Sequence, residues 1–138
     1  MFEFAIVDTS ALLASIDRED LAHASVASVF RRRELSFVLP SLVVAETAYM
    51  VGERFGAVAE AGFIRRLRAW TIETPSPDEW LRVAELIERD QDFPLGATDA
   101  LVVVLAEWYR TDLLVTLDSR HFAVVRPNHV ESFRILPE

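Results

Sequence analysis

The chain has 138 residues, 51% apolar and 26% charged, with a formal net charge of −8. That length suits one domain able to bury about two-thirds of its unfolded surface, and the lack of cysteine excludes thiol nucleophiles, zinc–cysteine sites and a disulfide framework. All 14 basic residues are arginine, which excludes a P-loop ATPase, a Schiff-base enzyme and a phospho-receiver domain, each of which needs a lysine.

Met1-Phe2-Glu3-Phe4 has no basic n-region, so no secretory signal is read and a cytoplasmic location follows by default. The longest uncharged run, Leu35 to Ala45, is eleven residues and too short to span a bilayer. Phe4–Val7 is a short apolar run that predicts a buried strand ending at Asp8. Thr9 to Ile16 predicts a helix with Asp8, Thr9 or Ser10 as its cap. A second helix is expected from Leu21 to about Arg33, with Ala22, Val26, Val29 and Phe30 on one stripe. Leu35 to Leu39 reads as the next strand, and Pro40-Ser41 opens a helix that carries Glu46. Phe63 to Arg68 reads as a basic helix, followed by a strand around Trp70 to Glu73.

Ser76-Pro77-Asp78-Glu79 is the clearest helix start, with Ser76 as N-cap, Pro77 in the first turn and Glu79 closing a capping box. Trp80, Val83, Ala84 and Ile87 mark the expected buried face. Phe93-Pro94-Leu95-Gly96 breaks the chain before a helix from Thr98 to about Tyr109. Leu113 to Leu117 predicts a strand ending at Asp118, and Phe133 to Leu136 a last short one. With no repeat, low-complexity tract or linker, this alternation predicts a single domain over residues 1–138. The fold class is α/β, a three-layer α/β/α sandwich around a central parallel sheet.

Ligands of open α/β sheets bind outside the carboxyl ends of the strands. Asp8 and Asp118 are each the first charged residue after a predicted strand; if those strands are neighbours, both side chains face one crevice. Glu46 is the only charge between Glu34 and Glu53, on a helix apolar nearly all round, which implies a buried carboxylate in need of a partner or a metal. Asp99 is the only acid between Asp92 and Glu107, at the head of another apolar helix. Each has an ordinary alternative use. Asp8 can cap its helix, Asp99 can serve a helix dipole, Asp118 can be a turn residue, and Glu46 can pair with a buried arginine. Four carboxylates in one pocket repel, and a divalent cation removes the conflict. Oxygen donors without a histidine cluster point to Mg²⁺, with Mn²⁺ as substitute, rather than zinc. His23, His121 and His129 show no metal spacing and read as surface or packing residues.

Ile6-Val7-Asp8-Thr9-Ser10-Ala11, Glu46 after Pro40-Ser41-Leu42, Thr98-Asp99-Ala100 and Thr116-Leu117-Asp118-Ser119-Arg120-His121-Phe122 together resemble the PIN-domain ribonucleases, nearest the VapC-type toxins of bacterial type II toxin–antitoxin modules. The likeness runs end to end. It implies a Mg²⁺-dependent endoribonuclease in which Asp8, Asp99 and Asp118 ligate metal and Glu46 holds metal or its water. It also implies that Ser10 and Thr116 support that shell, that the chain forms a homodimer, and that a cognate VapB-type antitoxin fills the groove. An additional acid that some members carry near Asp118 is not evident, which leaves the number of metals open.

An acidic chain repels RNA unless cations or clustered arginines intervene. Arg120, two residues past Asp118, is the expected phosphate contact because its guanidinium fork matches phosphate. Arg31-Arg32-Arg33 and Arg65, Arg66 and Arg68 are further candidates for RNA or antitoxin, or else solvated helix ends. Tyr49, Met50, Phe55, Trp70 and Trp80 are candidates for a dimer face, or else core. Two rival functions stand beside the ribonuclease: an inactive α/β protein-binding module whose acids are caps, and a related nuclease acting on structured DNA.

Overall fold

The apolar runs of the sequence pair into one parallel sheet of β1 (Glu3–Val7), β2 (Leu35–Pro40), β3 (Thr71–Glu73), β4 (Leu113–Val115) and β5 (Arg134–Leu136), in the spatial order β3-β2-β1-β4-β5. The structure is a computed structural model that describes residues 2–93 and 95–138. Met1 and Pro94 lie outside the described residues, and so does the centre of the break expected at Phe93–Gly96. Seven helices occur among the described residues: α1 (Thr9–Ile16), α2 (His23–Phe30), α3 (Ser41–Phe55), α4 (Ala57–Arg66), α5 (Pro77–Arg89), α6 (Ala97–Tyr109) and α7 (Ser119–Val124). The chain steps from β1 through β2 to β3 at one edge, then returns to place β4 and β5 on the other side of β1. Right-handed crossovers put α1 to α4 on one face and α5 to α7 on the other. The reversal creates a switch point between β1 and β4.

Strands and helices follow from the local chemistry. Ala5, Ile6 and Val7 of β1 and all of β4 are buried, as strands covered on both faces must be. Helix α6 is buried around its whole circumference from Ala100 to Ala106, which explains its unbroken apolar run. The capping box of Ser76 and Glu79 opens α5, and the Ser76 N–H donates to Glu79 Oε1 at 2.7 Å. Gly56, at φ 90°, adopts the left-handed backbone that divides α3 from α4.

Several sequence expectations need correction. The second helix starts at His23, not Leu21, because the Asp20 carboxylate takes the Ala22 N–H and Leu21 stands in solvent. The basic helix begins at Ala57 and ends at Arg66, with a 3-10 turn over Leu67–Ala69. In α5 the buried residues are Val83 and Leu86, whereas Trp80 and Ala84 face outward, so the buried stripe is rotated from the one expected. The strand expected over Leu113 to Leu117 stops at Val115, and Asp118 opens the short helix α7, where no helix was predicted. Of the candidate interface residues, Met50 and Trp70 pack against the core, Trp70 edge-on to Phe30, while Tyr49, Phe55 and Trp80 are exposed.

Candidate active site

Register places the first acid. Ile6 pairs with Leu114 and Val7 with Val115, so the next residues along the two neighbouring strands, Asp8 and Thr116, come side by side at the carboxyl end of the sheet. The Asp8 N–H donates to Val115 O at 2.9 Å, continuing the ladder one step beyond the strands. Thr116 Oγ1 then donates to Asp8 Oδ2 at 2.7 Å, and Ser10 Oγ reaches the same oxygen at 3.1 Å. The two hydroxyls lie 3.2 Å apart. Each also accepts a backbone amide from the β4–α7 turn, Leu117 N–H on Ser10 at 2.9 Å and Asp118 N–H on Thr116 at 3.0 Å. Ser10 and Thr116 therefore tie the turn that carries Asp118 to the carboxylate of Asp8. Asp8 holds the N-cap position of α1, but its side chain makes no capping bond.

Asp99 enters from α6, in its first turn behind the N-cap Gly96. Asp118 enters from the N-cap position of α7, without a side-chain capping bond, and its Oδ2 is paired with His121 Nδ1 one turn on. Glu46 enters from α3, where Oε2 accepts the Thr98 hydroxyl at 3.2 Å. The expectation of a buried Glu46 is overturned: it is exposed, because Val43, Thr47 and Val51 form the inward stripe of α3 and Glu46 falls off it. It needs no buried arginine.

The charges sense one another. Burial pushes the Asp8 carboxyl up, opposed by hydrogen bonds from Thr116, the Thr9 backbone and Ser10, with Glu46 adding repulsion. Asp99 is pushed up to about 6, first by burial and then by the charge of Asp8, with His121 opposing and Asp118 and Glu46 adding to the rise. Among the described residues no three carboxyl or imidazole groups stand close enough to chelate an ion as they lie. The four acids share one crevice electrostatically without closing on a single point. An all-oxygen anionic donor set in which Asp8 and Asp99 are pushed up by burial and by neighbouring charge is one that a hard divalent cation satisfies.

Two residues beyond the sequence-predicted set join the site. His121, expected only at the surface or in packing, is hydrogen-bonded to Asp118 and stacks edge-on against Phe93 with ring centroids 5.3 Å apart. Its i,i+3 spacing from Asp118 was a usable signal only once Ser119–Val124 is known to be helical. Thr98, beside Asp99, links α6 to Glu46.

Arg120 is exposed at the same end of the sheet and forms no ion pair among the described residues. The other arginine clusters are placed elsewhere. Arg31–Arg33 precede β2, and Arg65, Arg66 and Arg68 precede β3, so both lie toward the amino ends of a parallel sheet. The six residues of β2 put roughly 20 Å between that end and the acids. Arg32 there is paired with Glu34.

Three comparisons bear on this arrangement. The family model described as the PIN domain matches residues 5–127. The chain is 38% identical over 134 residues to Ribonuclease VapC26 of Mycobacterium tuberculosis, covering 96% of this chain and 99% of that protein. Its fold matches the crystal structure of VapC20 of Mycobacterium tuberculosis, a sarcin–ricin loop cleaving toxin, with a TM-score of 0.79 at 19% identity over 96% of this chain and 100% of that one. It also matches DNA-bound VapBC of Salmonella typhimurium with a TM-score of 0.66 at 16% identity over 98% and 97% of the two chains.

Proposed function

The chain belongs to the PIN-domain family, and from that membership we propose that it is an endoribonuclease that hydrolyses RNA phosphodiester bonds with a carboxylate-held divalent ion, as the toxin of a VapBC-type pair. The observation that supports this is the hydrogen-bonded frame at the β1/β4 switch point, where Thr116 and Ser10 hold the Asp8 carboxylate and the turn that carries Asp118, with the charges of Asp8, Asp118 and Glu46 adding to burial in pushing Asp99 up. Asp8, Asp99 and Asp118 would hold the ion, Mg²⁺ or Mn²⁺ in its place, and Glu46 would hold the ion or its water. When bound, the ion lowers the pKa of a water and neutralises charge on the scissile phosphate.

The chain's own residues supply position. Thr116 and Ser10 fix the Asp8 carboxylate on one oxygen, which aims it without a capping bond to the helix. Thr98 steers Glu46, and His121 holds Asp118. Arg120, exposed on α7 at the same end of the sheet, offers a guanidinium to a phosphate of the incoming strand. No residue of the chain need act as nucleophile, in keeping with its lack of cysteine.

The partners follow from the same relationship: RNA as substrate, a VapB-type antitoxin, and a second copy of the chain through exposed apolar residues such as Tyr49 and Phe55. No helix among the described residues is long and apolar enough to cross a membrane, and we place the protein in the cytoplasm. The test is Asp8→Asn and Asp99→Asn, each checked for folding by circular dichroism, assayed on single-stranded RNA, tRNA and flap DNA with and without EDTA. Wild-type cleavage of RNA that EDTA and both substitutions abolish is the expected result. Undiminished cleavage by both variants overturns the site, and cleavage confined to flap DNA overturns the substrate. A monomer by light scattering at micromolar concentration removes the homodimer.

A further inference from the structure

Helix α7 is a partition. Asp118 and His121, one turn apart, face the acid crevice. Ser119 and Arg120 instead line a separate cleft between α7 and the strand β5, closed on its far wall by Ser132, Phe133 and Ile135. The cleft encloses about 340 Å³, at the lower end of the roughly 300–1,000 Å³ typical of small-ligand sites. Its lining combines one cation without an ion-pair partner among the described residues, two exposed serine hydroxyls and a half-buried phenyl ring. The Phe133 ring is held edge-on by Phe122 at 6.4 Å between centroids, so its position is set from behind by the core.

We propose that this cleft is a nucleotide subsite that takes the residue next to the scissile phosphate, with the phosphate on Arg120, the sugar against the hydroxyls of Ser119 and Ser132, and the base on Phe133. The proposal rests on the ribonuclease reading above and adds a second point of contact for the same strand. At most ~7 Å of backbone separates Asp118 from Arg120, the order of a single nucleotide step, so one phosphodiester chain crossing the top of α7 engages both sides. Charge complementarity names the occupant. The Arg120 guanidinium has no ion-pair partner among the described residues and so is open to an anion, and an aromatic floor with flanking hydroxyls suits a nucleotide better than an inorganic one.

The experiment uses the full chain carrying Asp99→Asn, expected on the ribonuclease reading to bind without cutting, and a fluorescently labelled single-stranded oligoribonucleotide read by anisotropy. Ser132→Trp fills the cleft from an exposed position, and Phe133→Leu keeps an apolar side chain but removes the aromatic face. Base stacking on an aromatic side chain predicts roughly five- to hundredfold weaker binding for Phe133→Leu, and at least as large a loss for Ser132→Trp, with both variants folded by circular dichroism and the melting temperature of Ser132→Trp unchanged. Wild-type chain carrying either substitution is expected to lose kcat/KM in step. If the parent binds RNA and both variants bind it equally well, the subsite is overturned while the ribonuclease reading stands. If the parent binds no RNA and the wild type cuts none, the ribonuclease reading falls and takes the subsite with it.

Discussion

Replacing Asp99 by asparagine is expected to stabilise the metal-free protein. The folded state holds the Asp99 carboxyl at about 6 against an ordinary 3.8, through burial and then through the charges of Asp8, Asp118 and Glu46. Between those two values the folded chain binds this proton more tightly than the unfolded chain, so wild-type stability falls as pH rises through the window and stays lower above it. For a fully buried group the difference is worth ~3 kcal/mol. Asp99 retains contact with solvent, so about half that, ~1–2 kcal/mol, is expected after screening. For a domain of this size that is a rise of roughly 4–8 °C in melting temperature. The assay is thermal melting of wild type and Asp99→Asn in EDTA at pH 7.5 and pH 4, then at pH 7.5 across a Mg²⁺ titration. The advantage of the variant should shrink several-fold at pH 4, where the wild-type carboxyl is already protonated. Mg²⁺ should raise the wild-type melting temperature, by the equivalent of ~2.7 kcal/mol at a hundred times Kd, and raise that of the variant much less. A variant less stable than wild type at pH 7.5 in EDTA, or an equal Mg²⁺ response in both, would refute the reasoning.

Thr116→Val preserves shape but removes the donor to Asp8 and the acceptor for the Asp118 N–H. It should cost ~1–3 kcal/mol in urea denaturation at pH 7. The cost should be smaller at pH 4, because the lost bond was one of those holding the Asp8 carboxyl down. Glu107→Leu leaves the part-buried Arg82 guanidinium without the carboxylate that takes its Nε at 3.1 Å and Nη2 at 2.9 Å, and frees the Asn128 N–H. A loss of ~2–4 kcal/mol is expected by the same measurement, with the Mg²⁺ shift intact, since this pair lies between α5 and α6 and not among the acids. Arg120→Gln should lower kcat/KM on RNA about tenfold while leaving the Mg²⁺-dependent melting shift at its wild-type size. Loss of that shift would place Arg120 in the ion's surroundings rather than the substrate's.

Periodicity and capping chemistry alone determined most of the elements here. The capping box at Ser76 and the unbroken apolar runs of β1, β4 and α6 encode their own structure, because they depend on neighbours a few residues away. The placement of Asp8 just past β1 was likewise visible, since that buried strand ends where its first charge appears, whereas β4 stops at Val115, with Thr116 and Leu117 between its end and Asp118. Only the tertiary structure decided which strands were neighbours, and with that whether the acids met. Glu46 illustrates the limit: its helix is apolar in composition, yet which stripe turns inward depends on how α3 lies against α1 and α6, and that rotation sent Glu46 to the open side beside Thr98. His121 and the α7 cleft were hidden for the same reason. A six-residue helix has too few turns for a periodic signal, and it persists because β5 and the turn pinned by Ser10 and Thr116 hold it in place. Local free energies write elements into a chain, while the meeting of residues a hundred positions apart depends on strand order, which no short window of sequence contains.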